Sequence, residues 1–147
     1  MSEGKIGKKI EKLFGKRDKE TKRLKVDKRA IPVLKLLRKH FGIEKIYRWK
    51  KYPFKGYKIE GYIKMDLSGK TENGEIVLID IKAKHELHRE DIAKLKKDVY
   101  IVENTTGNKT FGVFLVITNV QNEDDLKTVK ELHGYIQILG ESEKIHF

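Results

Sequence analysis

The first regular pattern of apolar and polar residues that we consider has the spacing of a helix. Between residues 30 and 41 apolar residues recur every three or four positions and would line one face of a helix: Ala30, Val33, Leu34, Leu37 and Phe41. Pro32 suits the first turn of such a helix, and Gly42 is suited to end it. The pattern therefore predicts a helix over 30–41.

Alternation with a period of two follows this helix and predicts three strands. Aromatic and basic residues alternate from residue 46 onward, which is typical of a strand over 46–54. A second strand is predicted over 57–67. The segment 68–75, SGKTENGE, carries two glycines and an Asn-Gly pair and is therefore interpreted as a turn. The third strand, 76–84, reads IVLIDIKAK.

The second half of the chain alternates between helical and strand patterns. An apolar stripe predicts a helix over 89–103: Ile92, Leu95, Val99 and Val102. The run 111–118 is apolar on both faces, which is typical of a central parallel strand. A helix over 123–133, ended by Gly134, and a last strand over 135–139 follow.

The resulting order of elements, αβββαβαβ, predicts an α/β fold with a mixed central sheet flanked by helices. Strands alternate with helices in the second half alone, so we expect an antiparallel meander followed by a parallel βαβαβ portion. A length of 147 residues suits one domain.

Composition narrows the class of protein. Cysteine is absent, which excludes disulfides and thiolate metal sites. No apolar run approaches the ~20 residues of a membrane span, and no signal segment opens the sequence. We therefore expect a cytoplasmic, non-secreted protein without membrane contact. Abundant Lys, Glu and Ile also fits the charged surface of a thermophile protein.

The net charge of +11 favours polyanions as partners, and nucleic acid is the usual one. A soluble, highly charged surface without such a partner is the alternative. Residues 1–29 hold twelve Lys or Arg against five Asp or Glu, a net of +7, whereas residues 30–147 hold a net of +4. The basic character therefore lies mainly in the N-terminal segment.

We interpret residues 1–29 as a basic N-terminal arm, partly helical or flexible, joined to a domain covering 30–147. Apolar residues recur in it at helical spacing, namely Ile6, Ile10, Leu13 and Phe14. Little apolar content from 21 to 29 suggests a linker. The helix could lie on nucleic acid or on the domain, or the arm could be a solvated tail. In the first case its nucleic-acid contacts would come from Lys8, Lys9, Lys12 and Arg17.

Candidate chemistry lies at the end of the strand 76–84. Side chains alternate between the faces of a strand, so Asp80, Lys82 and Lys84 share the face of Leu78. An acid and a base are thus neighbours, about 7 Å apart along the strand. Burying charges is costly unless they are paired or bind a metal. A simple ion pair at a strand end is the alternative to a functional site.

Asp66 is the second candidate acid, and it ends YIKMD just before the predicted turn. If the whole segment 68–75 forms the turn, antiparallel pairing places Asp66 near the beginning of the strand 76–84. A bulge or a bend would then be required for Asp66 to approach Asp80.

The spacing of these residues carries a resemblance to a known family. Asp66 is followed by thirteen residues and then by Asp80-Ile81-Lys82, with a helix and an apolar strand after them. This arrangement resembles the PD-(D/E)XK nuclease superfamily, in particular its small archaeal members. Their pattern has an acid in a β-meander, a glycine-containing turn and (E/D)hK on the next strand, where h is apolar. The similarity covers roughly residues 30–139 and implies a restriction-endonuclease-like core.

The resemblance implies a role for each residue of this motif. Asp66 and Asp80 would bind Mg²⁺ or Mn²⁺, and the backbone carbonyl of Ile81 would complete the ligand set. Lys82 would lie beside the attacking water and the scissile phosphate. A hard ion prefers oxygen ligands and keeps several waters, which suits this set.

The chain also departs from the family pattern. Lys64 stands where related proteins often carry Glu, and the helix 30–41 has no acid where many members have one. Glu60 shares the strand face of Asp66 and could substitute, or it could be a solvated carboxylate. The number of metal ions and the catalytic strength stay open.

Further residues could support the site from outside. Lys96 and Tyr100 stand four apart on the following helix, where some branches of the superfamily carry Gln and Tyr. The alternative is a surface Lys that covers a half-buried Tyr. His85 and His88 follow the site and could act as a general base or contact phosphate, although loop histidines are more often solvated.

The segment 47–58, YRWKKYPFKGYK, interleaves aromatic and basic residues. Base stacking combined with phosphate contact would explain such a surface. The alternative is a hairpin whose aromatic residues face the core, and strict alternation favours it for Tyr47 and Trp49. Phosphate contacts are predicted here and at the end of the site strand, from Arg48, Lys50, Lys51, Lys55 and Lys84.

The sequence therefore predicts a metal-dependent nuclease that hydrolyses phosphodiester bonds, with DNA as the favoured nucleic acid. One alternative is a non-catalytic nucleic-acid-binding module that keeps the fold. Another is a nuclease-fold subunit of a larger DNA-processing complex. A homodimer is one arrangement that the resemblance allows, because members that cut both strands often pair.

Overall fold

The structure, a computed structural model, describes residues 4–56 and 58–147. Among these residues four helices occur: α1 (Gly4–Leu13), α2 (Ile31–Phe41), α3 (Arg89–Thr106) and α4 (Glu123–Thr128). The first five strands are β1 (Lys16–Arg17), β2 (Leu24–Lys25), β3 (Ile43–Arg48), β4 (Lys51–Gly56) and β5 (Ile59–Lys64). The remaining strands are β6 (Leu67–Thr71), β7 (Ile76–Ala83), β8 (Thr110–Ile117), β9 (Gly134–Ile138) and β10 (Lys144–His146). None of the described helices is both long enough and apolar enough to span a membrane.

A six-stranded mixed sheet forms the centre of the fold, in the order β10–β9–β8–β7–β6–β3. β7 and β8 pair in parallel, and all other neighbours in this sheet pair antiparallel. The β1–β2 and β4–β5 hairpins form separate two-stranded sheets. The predicted α/β class with a mixed central sheet is confirmed.

The two faces of the central sheet bury different clusters. Residues of β7 that face the cluster containing α1 and α2 are Val77, Ile79 and Ile81. Leu78 faces a second cluster, which includes residues of α3 and of the β4–β5 hairpin. We call these sides the α1/α2 face and the α3/hairpin face. By strand alternation, Asp80 and Lys82 lie on the α3/hairpin face, as predicted.

α2 follows its predicted pattern. Val33, Leu34 and Leu37 are buried on the α1/α2 face, with Phe41 half-buried at the end. Gly42 ends the helix with φ of 64°, in the left-handed region that glycine adopts readily.

The strands predicted over 46–54 and 57–67 are each divided. Trp49 has φ of 57°, a left-handed value that is uncommon for a residue with a side chain. The chain leaves the central sheet there and enters the β4–β5 hairpin. The chain returns to the central sheet between β5 and β6. Residue 57, where the second strand was predicted to begin, lies outside the described residues. Alternation did not reveal the break at Trp49, because aromatic and basic residues alternate straight through it.

The predicted parallel βαβαβ portion is wrong beyond β8, because β9 runs antiparallel to β8. The N–H of Thr118 donates to the carbonyl of His133 at 2.9 Å, so β9 begins at the end of the sheet where β8 finishes. α4 ends at Thr128, short of the predicted boundary. Gly134 is not a helix cap but the first residue of β9, where a Cβ atom would collide with the carbonyl of Val116. β10 was not predicted.

The N-terminal segment packs on the domain. Ile10, Leu13 and Phe14 are buried in the cluster of the α1/α2 face. β2 lies in the segment where a linker was expected and pairs antiparallel with β1, and the N–H of Asp27 donates to the carbonyl of Leu13 at 2.9 Å. α1 lies on the domain, which is one of the positions that the sequence left open for this helix, because it buries its apolar stripe against the sheet. Residues 1–3 lie outside the described part of the arm.

Candidate functional site

The β6–β7 hairpin brings Asp66 and Asp80 together without a bulge. β6 begins at Leu67, so half of the segment predicted as a turn is strand. Leu67 pairs with Ile79 in a regular antiparallel register. One further step in this register places Asp66 opposite Asp80. The predicted need for a bulge was wrong because the turn is shorter than the glycine content suggested.

Asp66 is fixed through both its backbone and its carboxylate. Its carbonyl accepts hydrogen bonds from Arg48 Nη1 at 2.9 Å and from the N–H of Trp49 at 3.3 Å. Its Oδ2 accepts the N–H of Ile81 at 2.9 Å. Since the β6–β7 ladder ends at Leu67, the carboxylate takes the place of a backbone acceptor for Ile81.

Arg48 ties the first helix to Asp66. Its Nη2 donates to the carbonyl of Glu11 at 2.9 Å and its Nε to that of Gly15 at 3.3 Å. The guanidinium lies 3.9 Å from the ring centroid of Trp49. Burial lowers the pKa of Arg48, although the carboxylates of Asp66 and Glu11 act in the opposite direction. The N–H groups of Arg48, which were predicted to contact phosphate, therefore donate to backbone carbonyls of the protein itself.

Burial and a second carboxylate raise the pKa of Asp80 to about 7. Burial is the largest cause, and the side chain is 14% exposed. Asp66 adds to the increase through its charge and through a hydrogen bond between the two carboxyl groups, whereas Lys82 opposes it. The Nζ of Lys82 lies 3.5 Å from Asp80 Oδ2. Near neutral pH Asp80 is therefore protonated in a substantial fraction of molecules.

A further buried carboxylate, Asp91 of α3, was missed by the sequence analysis. Its side chain is 6% exposed, and its Oδ2 lies 2.7 Å from the Nζ of Lys84. The same oxygen accepts the N–H of His88 at 2.8 Å, and Oδ1 lies 3.7 Å from the Nζ of Lys82. Burial raises the pKa of Asp91, but the contacts with Lys84, His88 and Lys82 outweigh it and leave the pKa below its ordinary value.

The stripe predicted for α3 begins at the wrong residue. Ile92 is 43% exposed, whereas Asp91 is buried. Asp91 lies four residues before the buried Leu95, on the same helix face. The sequence did contain a signal for Asp91. It is an acid in the first turn of α3, a few residues after Lys82 and Lys84, which share one strand face.

The residues predicted to support the site from outside lie on the surface. Glu60 is exposed in the β4–β5 hairpin, because β5 and β6 belong to different sheets. Lys96 is exposed, and Tyr100 is 67% exposed. His85 is exposed in the bend after β7. From α3 it is Lys94 whose charge acts on Asp80 and favours its ionised form.

The basic residues predicted near the N-terminus lie on the other side of the sheet. Lys8, Lys9 and Lys12 are exposed on α1, which packs on the α1/α2 face. The Nζ of Lys9 lies 2.7 Å from a carboxylate oxygen of Glu123. Arg17 is exposed in the β1–β2 hairpin. These cations are therefore separated from Asp80 by the central sheet or lie in a peripheral hairpin.

The lysines predicted in the segment 47–58 are exposed beside aromatic rings. The Nζ of Lys50 lies 4.8 Å from the ring centroid of Tyr47, and that of Lys51 lies 4.5 Å from that of Tyr62. Lys55 is exposed near the tip of the hairpin. Tyr47 is 40% exposed, so it does not face the core as alternation had favoured.

Asp66 and Asp80 form the candidate cation site. In the parts of the chain described, 4–56 and 58–147, no group of three or more His, Cys, Asp or Glu side chains could hold a metal ion. Mg²⁺ can nevertheless bind through one or two carboxylates, because it keeps several of its waters. The two facing carboxylates place several oxygen donors side by side, which is the ligand type that this ion prefers. The donor set therefore fits a hard divalent cation.

A comparison of the chain with models of protein families, with curated proteins and with solved structures found no match.

Proposed function

We propose that the protein is a metal-dependent nuclease of the PD-(D/E)XK type that hydrolyses phosphodiester bonds in DNA. The observation that carries this proposal is the register of β6 and β7, which sets Asp66 opposite Asp80. Lys82 lies beside them, 3.5 Å from Asp80. Two acids and a cation that the D…DxK motif separates in sequence thus meet at one edge of the hairpin.

Asp66 and Asp80 would bind Mg²⁺ or Mn²⁺ through their carboxylate oxygens, with the carbonyl of Ile81 as a further ligand. The bound ion would polarise the phosphate and lower the pKa of a coordinated water. The chain contributes preorganisation, because hydrogen bonds to the carbonyl and the carboxylate of Asp66 fix this residue before a ligand arrives.

Lys82 would stabilise negative charge on the scissile phosphate. Its side chain is 5% exposed and lies between two acids, 3.5 Å from Asp80 and 3.7 Å from Asp91. These carboxylates offset the cost of burying the ammonium group. A cation held at such a place is worth more to a developing oxyanion than one in bulk water. Asp91 would hold Lys82 and Lys84 in position.

A non-catalytic nucleic-acid-binding module is the second candidate. The observation that favours it is the sparse set of acids, because α2 has none and no third acid joins the pair among the described residues. In this case no cation would displace the proton from Asp80. The net charge of the chain, +11, would still attract nucleic acid.

Cleavage of labelled duplex, single-stranded and branched DNA in Mg²⁺, Mn²⁺ or EDTA tests the proposal. We expect the wild type to cut in the presence of metal and Lys82→Ala to lose this activity. Lys35→Ala, which removes an exposed lysine from α2, is the matched control and should cut like the wild type. Salt-sensitive binding without cutting by the wild type would favour the binding module.

A further inference from the structure

Two open cavities lie at the edge of the central sheet that is formed by β3 and β6. One, of about 450 Å³, lies between β4, the end of β6 and the end of α3. The other, of about 520 Å³, is lined by Glu44, Lys45, Tyr47 and Lys70. Tyr47 and Lys70 line both cavities, so the two lie next to each other. We call the pair of cavities the Tyr47 groove.

The charge of the Tyr47 groove has one dominant sign. Four exposed lysines line it, against the single carboxylate of Glu44: Lys45, Lys50, Lys51 and Lys70. They come from β3, from β4 and the residue before it, and from β6, so the fold gathers them from three places in the sequence. Such a concentration of exposed ammonium groups favours an anionic chain as the ligand.

An exposed aromatic ring lies within this charge. Tyr47 is 40% exposed, and the Nζ atoms of Lys50 and Lys45 lie 4.8 Å and 5.7 Å from its ring centroid. The floor beside it is fixed, because the buried Tyr52 hydroxyl is hydrogen-bonded to Ser68 Oγ at 2.9 Å. A cationic groove with an accessible ring is the arrangement on which unpaired bases stack while lysines contact the phosphates.

We propose that the Tyr47 groove binds single-stranded nucleic acid, with a base on Tyr47 and phosphates on the surrounding lysines. A duplex keeps its bases stacked inside and could use the lysines but not the ring. A cavity of about 450 Å³ also has the size of a small-ligand site and suits individual nucleotides better than a double helix.

The groove lies on the side of the sheet that carries the candidate site. Lys70 lies in β6, and Asp66 immediately precedes this strand. The two residues are four positions apart, so they share one face of the sheet and lie about 13 Å from each other. A strand held in the groove would thus lie near the two carboxylates. The inference rests on the proposed function in taking nucleic acid as the ligand, and it narrows the substrate to single strands.

Fluorescence anisotropy of a labelled oligothymidine in EDTA tests the groove without any cleavage. Tyr47→Ala should weaken binding roughly ten-fold, the loss expected for one stacked base, whereas Tyr47→Phe should bind like the wild type. Lys70→Ala should reduce the slope of log K against log salt by about 0.7. Lys35→Ala, on the opposite side of the sheet, should lower affinity less than Lys70→Ala. Binding of a duplex should be unaffected by Tyr47→Ala.

The groove is refuted if Tyr47→Ala binds the single strand as the wild type does, or if the wild type does not bind it. A ring-dependent affinity for duplex would also refute it. Because binding is measured in EDTA, its result is independent of the nuclease proposal. Tyr47-dependent binding without cutting in Mg²⁺ would overturn the nuclease alone, and metal-dependent cutting without Tyr47-dependent binding would overturn the groove alone.

Discussion

The raised pKa of Asp80 is the residue-scale feature with the clearest consequence. Burial and the neighbouring carboxylate raise the pKa of Asp80 from its ordinary 3.8 to about 7, so the folded protein prefers the protonated acid. The stabilisation that this proton gives is complete below about pH 4 and is lost as the pH rises through 7. Asp91 has a lowered pKa, so its contribution is lost at acid pH instead.

In EDTA, we expect the free energy of unfolding to fall between pH 4 and pH 8, by at most about 4 kcal/mol from Asp80. Asp80→Asn should reduce this fall, because an amide does not titrate. Urea denaturation at several pH values measures both. An equal fall in the two proteins would show that Asp80 ionises normally.

The lysines around Asp91 give a second residue-scale prediction. Asp91→Asn should destabilise the protein by about 3 kcal/mol, because it leaves Lys82 and Lys84 with one buried acid fewer. Combined with Lys84→Met, the loss should be smaller than the sum of the single losses by about 1 kcal/mol or more. Urea denaturation of the four proteins measures this coupling. Additive losses would contradict the Asp91–Lys84 contact.

Strand alternation was sufficient to place Asp80 and Lys82 on the face of Leu78, and Val77, Ile79 and Ile81 on the other. It could not reveal Asp91, because this carboxylate belongs to α3 and its partners, Lys82 and Lys84, lie at the end of β7 and just after it. Arg48 was likewise assigned to phosphate, since its backbone partners in α1 and at Asp66 lie far away in sequence. The sequence shows that these side chains are charged, but their contacts with distant parts of the chain determine which groups they bind.

At the scale of elements, α1 packs on the sheet, which was one of the positions that the sequence left open for the N-terminal arm. Phe14→Ala should cost about 3–5 kcal/mol, because its ring is 2% exposed in the cluster of the α1/α2 face. Leu24→Ala removes an apolar side chain that is 48% exposed and should cost less than ~0.5 kcal/mol. Chemical denaturation compares them. Equal, small losses would mean that α1 does not pack on the sheet.

Periodicity identified the elements whose neighbours are local in sequence. α2 and β7 were predicted because an apolar stripe and a run of buried residues define them. The break at Trp49 depends on one left-handed residue, and the direction of β9 depends on the loop that returns from β8. Neither is expressed in the alternation of apolar and polar residues. The turn of the β6–β7 hairpin was overestimated because β6 contains Gly69 within a strand.

At the scale of the whole molecule, the central sheet separates two basic regions. Lysines of α1 lie on the α1/α2 face, whereas Asp80, Lys82 and the Tyr47 groove lie towards the α3/hairpin face. The net charge of +11 would attract a polyanion from any direction. The proposed function requires that the productive contact be made on the side of the carboxylates.

The most direct test of this account measures cleavage and binding of the same labelled DNA by Asp80→Asn in Mg²⁺. Asp98→Asn is the matched control, because Asp98 is another acid of the α3 region whose pKa burial raises. The account predicts that Asp80→Asn loses cleavage at least ~100-fold while binding is retained, and that Asp98→Asn cuts normally. Cleavage by Asp80→Asn at the rate of the control would contradict it.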